Sequence, residues 1–472
     1  MKVEAQDKKT RLILHGEPIW TGLIRLSIPV FLVNILKTLH DLVDGIFLGQ
    51  VPGMIGDQPI ATLMQSAIGL VWPVYFIFLS FGMGLSVAGN ALIGQYIGRG
   101  DRDSARGNAA NLLLMSTALG LLFTLLVYVS IPFILRWMGS DGMELTYGVQ
   151  YLRIRSFELP FLFISFAFQA IRQSTGDTTS PVLVNAFAIF VNIGLTALFV
   201  LKYGWGIQGA AIATLIANAL MLPIILVFFA FAKSGLRVKF QRKAFDLTIS
   251  KDILKIALPA SSGQAIQAMG FIILNSFIRS FGESVMAGFY YGNRINSLVM
   301  FPVLSISSIV AIYIAQNIGA SNPERAKKAF RVGMRISILL MSVGAIIIIP
   351  FRFDLVSLFS KDPEALLYAA DYTLFLHIGL PLMAVFQTYL STFQGSGDTK
   401  FSLVMAVVRL WAIRIPLVWI SVNLTNLGPA GIWYAILISN FLMVFVGMYL
   451  FKKVKFLPKI REKIDKNKLE MV

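Results

Sequence analysis

The sequence predicts an all-α polytopic membrane protein, with twelve transmembrane helices in two six-helix repeats, an N-lobe and a C-lobe. Three observations predict it. Of 472 residues, 56% are hydrophobic and 14% charged, a composition outside the range of soluble domains. Apolar runs near the ~20 residues that span a bilayer recur from end to end, and a helix satisfies every backbone group within such a run. The chain also repeats itself. Ile93-Gly-Gln95-Tyr-Ile97-Gly98 returns as Ile314-Ala-Gln316-Asn-Ile318-Gly319, and Gln173-Ser-Thr-Gly176-Asp177-Thr178 returns as Gln394-Gly-Ser-Gly397-Asp398-Thr399, both at a shift of 221 (314 − 93 and 394 − 173). Further on, Gly209, Ala213 and Asn218 are echoed by Gly431, Ala435 and Asn440 at a shift of 222 (431 − 209). Six spans per repeat is an even number, so both lobes enter from the same side and their pseudo-twofold axis lies along the membrane normal.

In chain order, residues 1–19 form a polar cytoplasmic N-terminal segment without the apolar core or small-residue cleavage site of a signal peptide, so the first span is expected to be an uncleaved anchor. The N-lobe occupies 20–232, with spans at 21–46, 60–92, 108–133, 147–170, 181–202 and 208–232. Residues 233–252 are charged and lack a long apolar run, which makes them the inter-lobe linker. The C-lobe occupies 253–451, with spans at 253–279, 285–317, 329–350, 365–390, 401–423 and 430–451, and residues 452–472 are a basic tail. Pro29, which removes a helix hydrogen bond, is the expected bend of the first span. The Gly-Asp-Thr turns at Gly176 and Gly397 are expected to let Asp177 and Asp398 cap the helices that follow.

A net charge of +17 could suggest nucleic acid, but its placement indicates topology. Lys and Arg crowd the N-terminus (Lys8, Lys9, Arg11), alternate connections (Arg99, Arg102 and Arg106; Lys233 to Lys243; Arg325 to Arg331) and the tail, whereas the connections at 50–59 and 423–429 carry none. This is the positive-inside pattern, with both termini cytoplasmic in a cell membrane and the bases near anionic headgroups. There are no cysteines, and His15, His40 and His377 are scattered, so neither thiolate nor histidine metal sites are expected. No nucleophile–base pair is apparent, which argues against an enzyme. No cofactor is expected beyond a coupling ion, H+ or Na+. The expected partners are small organic substrates and the bilayer, with no nucleic acid and a monomeric chain.

Ionisable residues inside a span are costly, so each is a functional candidate. The first span carries Lys37, His40, Asp41 and Asp44, with Lys37/Asp41 and His40/Asp44 at i,i+4. Asp44 lies 24 residues past Trp20, ~36 Å along an ideal helix, and so in the outer half of the span. A carboxylate in a low-dielectric interior beside a second carboxylate holds a proton readily, and it can exchange H+ or accept Na+. Asp41 has Lys37 as a ready partner, which leaves Asp44 as the better ion-coupling candidate and Asp41 as the second. The fourth span adds Arg153, Arg155 and Glu158, of which the last two can satisfy each other at i,i+3. The C-lobe has no carboxylate opposite Asp44. It offers Gln264 and Gln267 on the seventh span, and Arg294, Arg409 and Arg414 on the eighth and eleventh.

These residues resemble the multidrug and toxic compound extrusion (MATE) family from about Leu26 to Leu450. The resemblance is carried by Ser27-Ile-Pro29, Asp41-Leu-Val-Asp44-Gly-Ile-Phe-Leu-Gly49, Ala91-Leu-Ile-Gly-Gln95-Tyr-Ile-Gly98, Leu159-Pro160, Gly176-Asp177-Thr178 and Gly206-Ile-Gln-Gly209. It is closer to the DinF-like branch than to the NorM branch. The resemblance implies a V-shaped antiporter of alternating access that expels organic compounds, commonly cationic and amphipathic, against H+ or Na+. It implies that Asp44 exchanges the ion and that Asn192 is an N-lobe polar position. Thr196 stands where many members carry a carboxylate, which puts more of the coupling on Asp44; the lack of an acid on the seventh span departs from the branch in which second-half carboxylates bind Na+ and favours H+. Asn34, Lys37, Glu158, Asn192, Thr196, Gln264, Gln267, Arg294, Arg409 and Arg414 are the expected cavity residues. A second reading keeps the fold but changes the cargo: Lys37, Arg294, Arg409 and Arg414 would suit an anionic, for instance lipid-linked, substrate.

Overall fold

The computed structural model describes residues 4–55, 58–231, 236, 245–359 and 362–461. Most of the linker bases (Lys233, Arg237, Lys239, Arg242 and Lys243) and the tail beyond Arg461 lie outside them. A short helix α1 (Glu4–His15) precedes the N-lobe, which comprises α2 (Ile19–Gly49), α3 (Ile60–Arg99), α4 (Arg102–Trp137), α5 (Gly142–Ser156), α6 (Leu159–Gln173), α7 (Thr179–Thr196) and α8 (Gly206–Phe231). The C-lobe repeats the series as α9 (Leu247–Arg279), α10 (Glu283–Gly319), α11 (Pro323–Ile348), the short α12 (Arg352–Ser357), α13 (Pro363–Ile378), α14 (Leu380–Gly395), α15 (Thr399–Val407), α16 (Ile415–Leu424) and α17 (Pro429–Lys452). Among the described residues the only strands are a two-residue antiparallel pair, Met54–Ile55 with Gln58–Pro59, in the connection from α2 to α3. Among the described residues ten helices are long and apolar enough to cross a membrane, and two bent pairs add a span each if each pair is taken as one. That makes the expected twelve.

The bent pairs correct the expectation of single helices at 147–170 and 365–390. Helices α5 and α6 meet at 50°, and α13 and α14 at 52°. The cause is local. Pro160 and Pro381 sit in the first turns of α6 and α14, where they supply no N–H and so cannot continue the hydrogen bonding of the helix before them. Pro29, by contrast, lies within α2 without breaking it. The fifth span of each lobe carries a wide π turn, Ala197–Lys202 in one and Val408–Arg414 in the other.

The repeat governs packing as well as sequence. In the N-lobe α2 packs on α7, α3 on α4, α5 and α6, and α8 on α5 and α6. In the C-lobe α9 packs on α15, α10 on α11, α13 and α14, and α17 on α13 and α14. Helix starts match too: Asp101 accepts from the Ser104 amide at 3.1 Å, and Asn322, 221 residues on (322 − 101), accepts from Arg325 at 3.0 Å. Each lobe's first helix begins against the other lobe. Ile19, Leu23, Leu26 and Val30 of α2 are buried with α10, α11 and α14, while Ile253, Ile256 and Ala257 of α9 are buried with the N-lobe. Farther along, Leu48 of α2 belongs to an apolar cluster of the N-lobe alone, and Leu274 of α9 to one of the C-lobe alone. The lobes are thus joined at the end that carries both termini and have separate cores at the other.

The junction requires glycine. A Cβ on Gly98 would overlap the Gln316 backbone, and one on Gly319 would overlap the Gln95 backbone, a reciprocal contact between α3 and α10. The two matched glutamines cross between lobes beside it. Gln316 Nε2 donates to the Ser174 carbonyl at 2.7 Å, and Gln95 Nε2 to the Ser396 carbonyl at 3.3 Å.

Candidate functional site

Asp44 and Glu158 of the N-lobe sit in two neighbouring polar groups at the far end from the termini. Helix α2 presents His40 and Asp44, whose Nε2 and Oδ2 are 3.4 Å apart. His40 Nε2 also lies 2.6 Å from Asn192 Oδ1 of α7. Asn192 Nδ2 donates to Thr214 Oγ1 of α8 at 2.9 Å, and Thr196 Oγ1 donates to Asn192 Oδ1 at 3.2 Å. Around the corner, the bend between α5 and α6 places Glu158 in the lobe core, fully buried. Its Oε1 receives Arg155 Nε at 2.6 Å and the Tyr75 hydroxyl, and its Oε2 receives Asn218 Nδ2 at 2.8 Å. Arg155 Nη1 donates to the Tyr151 hydroxyl at 2.7 Å, and Tyr151 lies within electrostatic reach of Asp44. Glu158 therefore has a donor on each oxygen and a guanidinium beside it, whereas Asp44 faces an imidazole. The side chain of Asp41 lies outside the described residues.

The C-lobe holds a cavity of about 600 Å3, walled by α9, α10, α13 to α15 and α17, with α2, α3 and α6 on the N-lobe side. Its charged lining residues are Lys37, Arg409 and Arg414, and no Asp or Glu is among the described residues that line it. Arg414 Nε donates to Ser439 Oγ at 2.9 Å and Nη2 to Asn440 Oδ1 at 2.8 Å, both neutral partners. Arg409 lies 4.1 Å above the Phe386 ring, its Nη1 reaches the Met383 sulfur at 3.4 Å, and its buried Nε has no hydrogen-bond partner. Both arginines are nearly fully buried. The π turn explains how they share one wall. Residues five apart are ~140° apart around an α-helix, but i→i+5 closure brings them close to one face.

The cavity gathers Lys37, Gln264, Gln267, Arg409 and Arg414 from the expected set. Asn34 lies outside its lining, donating to Ser305 of α10 at 3.3 Å. Glu158, Asn192 and Thr196 belong to the N-lobe network instead, because the bend after α5 and the α7–α8 contact turn them into their own lobe. Arg294 is corrected outright: its neighbour Asn293 faces the cavity, so Arg294 points ~100° away and stacks on Tyr290. Asp177 and Asp398 are likewise anchors more than caps. Asp177 pairs with Arg172 and, at 3.0 Å, with Lys9, and only a 3.4 Å contact to the Ser180 amide is cap-like. Asp398 caps nothing and pairs with Lys459 at 2.7 Å.

Sequence reasoning missed Tyr75, Tyr151, Thr214 and Asn218 in one lobe, and Asn293, Tyr372 and Asn440 in the other. A signal for two of them was present. The matched pair Asn218 and Asn440 serves Glu158 in the N-lobe and Arg414 in the C-lobe. A carboxamide can donate or accept, so one repeated residue supports opposite charges.

The MatE family model matches residues 29–198 and 259–420, one block in each lobe. The probable multidrug resistance protein YoeA of Bacillus subtilis is 25% identical over 443 residues, covering 92% of this chain and 94% of its own. An FAD transporter of Shewanella oneidensis is 27% identical over 458 residues, covering 94% and 97%. Among solved structures, a transporter of the MOP superfamily from Pyrococcus furiosus, described by the reverse polarity of its binding pocket, superposes with a TM-score of 0.87 at 25% identity over 95% of this chain and 98% of its own. Such relatives are transporters rather than enzymes, handle small organic compounds and sit in the bilayer. With both repeats matched and the two-lobed architecture shared end to end, the chain belongs to the MatE family of multidrug-type membrane exporters.

Proposed function

We propose that this chain is a secondary antiporter that exports an organic anion through the C-lobe cavity while protons enter through the N-lobe acidic site. The observation that carries the reading is the charge of the cavity wall, which presents Lys37, Arg409 and Arg414 and no carboxylate among its described lining residues. A buried guanidinium with only neutral neighbours leaves a charge to be balanced, and an anionic cargo balances it. The planar fork of arginine suits carboxylate or phosphate, and the faces of Phe289, Phe386 and Tyr372 along the same wall suit a flat or amphipathic body. A cationic cargo would find like charge there. The relative named an FAD transporter handles a compound of this kind, a pyrophosphate bearing aromatic rings, and the pocket of reverse polarity fits the same reading.

Positive-inside placement of the bases makes the joined end cytoplasmic, with Asp44 and the far end outside. Alternating access then means parting the Gly98–Gly319 contact. The test is transport by the purified protein in liposomes with imposed H+ or Na+ gradients. The panel holds a flavin nucleotide, simple aromatic carboxylates, a lipid-linked phosphate and quaternary ammonium dyes. Anion movement driven by the pH gradient is expected. Movement of the dyes alone would overturn the anion reading, movement of only the lipid-linked phosphate would make the chain a flippase, and response to Na+ alone would overturn proton coupling.

A further inference from the structure

The repeat that relates the lobes also relates their buried polar groups, and one of these is present in only one lobe. Glu158-Leu159-Pro160, at the corner of the fourth span, is matched by Gly379-Leu380-Pro381 at the corner of the tenth, 221 residues on (379 − 158). In the N-lobe the Glu158 carboxylate fills the space beside that corner, with Asn218 Nδ2 on Oε2 at 2.8 Å and the Tyr75 hydroxyl and Arg155 on Oε1. In the C-lobe the acid is missing while polar neighbours remain. Asn440 stands for Asn218 (440 − 218 = 222), and Tyr372 and Asn296 stand for Tyr151 and Tyr75 (372 − 151 and 296 − 75, both 221). The guanidinium is kept but moved: Leu376 replaces Arg155 (376 − 155 = 221), and Arg414 stands at the position of Asn192 (414 − 192 = 222). Asn296, Tyr372, Leu376, Arg414 and Asn440 all line the C-lobe cavity.

Backbone geometry does not call for this glycine. Gly379 has φ −78° and ψ −8°, close to the −80° and −19° of Glu158, a right-handed conformation that a side chain tolerates. A Cβ there would come no closer than 3.3 Å to the Leu376 carbonyl and Leu437 Cδ1, and would lie 3.6 Å from Asn440 Nδ2. The corner is preserved and only its side chain is gone. Arg414 Nη2 donates to Asn440 Oδ1 at 2.8 Å, which turns Nδ2, the other end of that carboxamide, toward Gly379. Asn218 turns the same atom to Glu158. Asn440 and Arg414 are both more than nine-tenths buried. The place that a carboxylate fills in one lobe thus lies in the other beside a donor and a guanidinium, in a wall whose described residues include no Asp or Glu.

We propose that the anionic group of the cargo, a carboxylate or a phosphate, docks over Gly379, in the place that the Glu158 side chain takes in the N-lobe. There it accepts from Asn440 Nδ2 and balances Arg414. Gly379 is then a specificity-determining position, because an acid at 379 would complete the C-lobe from within and exclude the cargo. This rests on the anion-export reading above and names the part of the wall that holds the charge.

The test is binding of flavin mononucleotide and of benzoate to the purified protein by titration calorimetry, the first probing a phosphate and the second a carboxylate. The wild type is expected to bind at least one of them. Gly379→Glu is expected to lose that affinity by at least ~30-fold, the scale of a buried charge pair. Gly379→Gln adds the same bulk without the charge and is expected to bind at least ~10-fold more tightly than Gly379→Glu. Gly379→Cys makes a smaller change, on a chain with no native cysteine, and bound anion is expected to slow its alkylation by a small thiol reagent. Wild-type affinity in a folded Gly379→Glu, or equal loss in the Glu and Gln variants, would overturn the proposal while leaving anion export intact. Alkylation of Gly379→Cys that saturating anion does not slow would overturn it even if Gly379→Glu fails to fold. A wild type that binds neither anion would remove the anion reading and the proposal with it.

Discussion

Glu158 and Arg409 are two buried charges in one membrane protein, kept in opposite ways. Glu158 has a guanidinium, a phenol and a carboxamide on its two oxygens, whereas Arg409 has a ring face, a thioether and an Nε with no partner. Removing one partner of a satisfied buried pair strands the other, at a cost of about 3–5 kcal/mol, while removing an unbalanced charge costs little or stabilises. Arg155→Met should therefore lower the thermal unfolding temperature sharply. Arg409→Met should leave it level or raise it while weakening anion binding, which titration calorimetry and a melting curve will separate. Asp44 is the third case. Asp44→Asn removes the carboxylate that faces His40 and is expected to abolish gradient-driven export in liposomes while the protein still inserts. Asp41→Asn, beside Lys37, is expected to be milder, and the reverse ranking would move the role to Asp41.

At the scale of the element, the π turn of the eleventh span positions both cavity arginines. A π turn is an α-helix with one residue too many in a turn, and deletion of one residue there returns it to α geometry. Deleting Ala412 should return the turn to α geometry with the two arginines four residues apart, at ~40°, and so keep both on the shared wall. Anion binding close to that of the wild type, with near-normal expression and helix content by circular dichroism, is the expected result. Loss of binding in a well-folded deletion variant would show that the wide turn itself is needed to aim the arginines. The bends of the fourth and tenth spans act in the same manner on the other lobe's chemistry, since the bend at Glu158 is what turns that carboxylate toward Tyr75 and Asn218.

At the scale of the whole molecule, the joined end is held by the chain's own termini. Lys9 of α1 reaches Asp177 of the N-lobe, while α1's last carbonyls and Glu17 are held by Arg325 of the C-lobe. The tail mirrors this. Lys459 reaches Asp398 of the C-lobe, its amide donates to Gln95 Oε1 of the N-lobe at 2.7 Å, and Arg461 bonds Asp252 of α9 at 2.8 Å. Half-exposed pairs contribute about 0.2–1 kcal/mol each, so together they bias an equilibrium and do not decide folding. The Lys9→Ala/Lys459→Ala double variant should thus shift the population toward the parted state by about 2- to 30-fold. Spin labels on single cysteines near the ends of α3 and α10 will read this as a longer, broader distance, on a chain with no native cysteine to interfere. The Asp177 carboxyl is pushed up by burial, but Arg172, the Ser180 hydroxyl and Lys9 outweigh this and hold it below 3.8. A carboxyl lower in the folded than in the unfolded chain stabilises above its unfolded value and loses that contribution as pH falls through its folded one. The Asp177 contact therefore persists at neutral pH and yields only in strong acid.

Much of this was legible before any coordinates. Span number, the repeat register and the concentration of acids in the first lobe all follow from hydropathy and spacing along the chain. Those properties depend on nearest neighbours in the chain, and a bilayer admits few folds that satisfy its backbone. Lys37, Gln264, Gln267, Arg409 and Arg414 were nameable as polar groups at membrane depth for the same reason. What the residue string left open was azimuth and partnership. It did not tell that Arg294 turns away from the cavity while Asn293 turns in, because helix period fixes the relative azimuth of residues along α10 but not which azimuth faces the cavity. Nor did it separate the satisfied Glu158 from the poised Asp44, since both are acids in outer half-spans and their difference is Asn218, Tyr75 and Arg155 on three other segments. The sign of the cavity is of the same kind. Lys37, Arg409 and Arg414 come from helices far apart in sequence, and only their convergence without a carboxylate makes the wall cationic, because electrostatic energy depends on distance through space rather than along the chain.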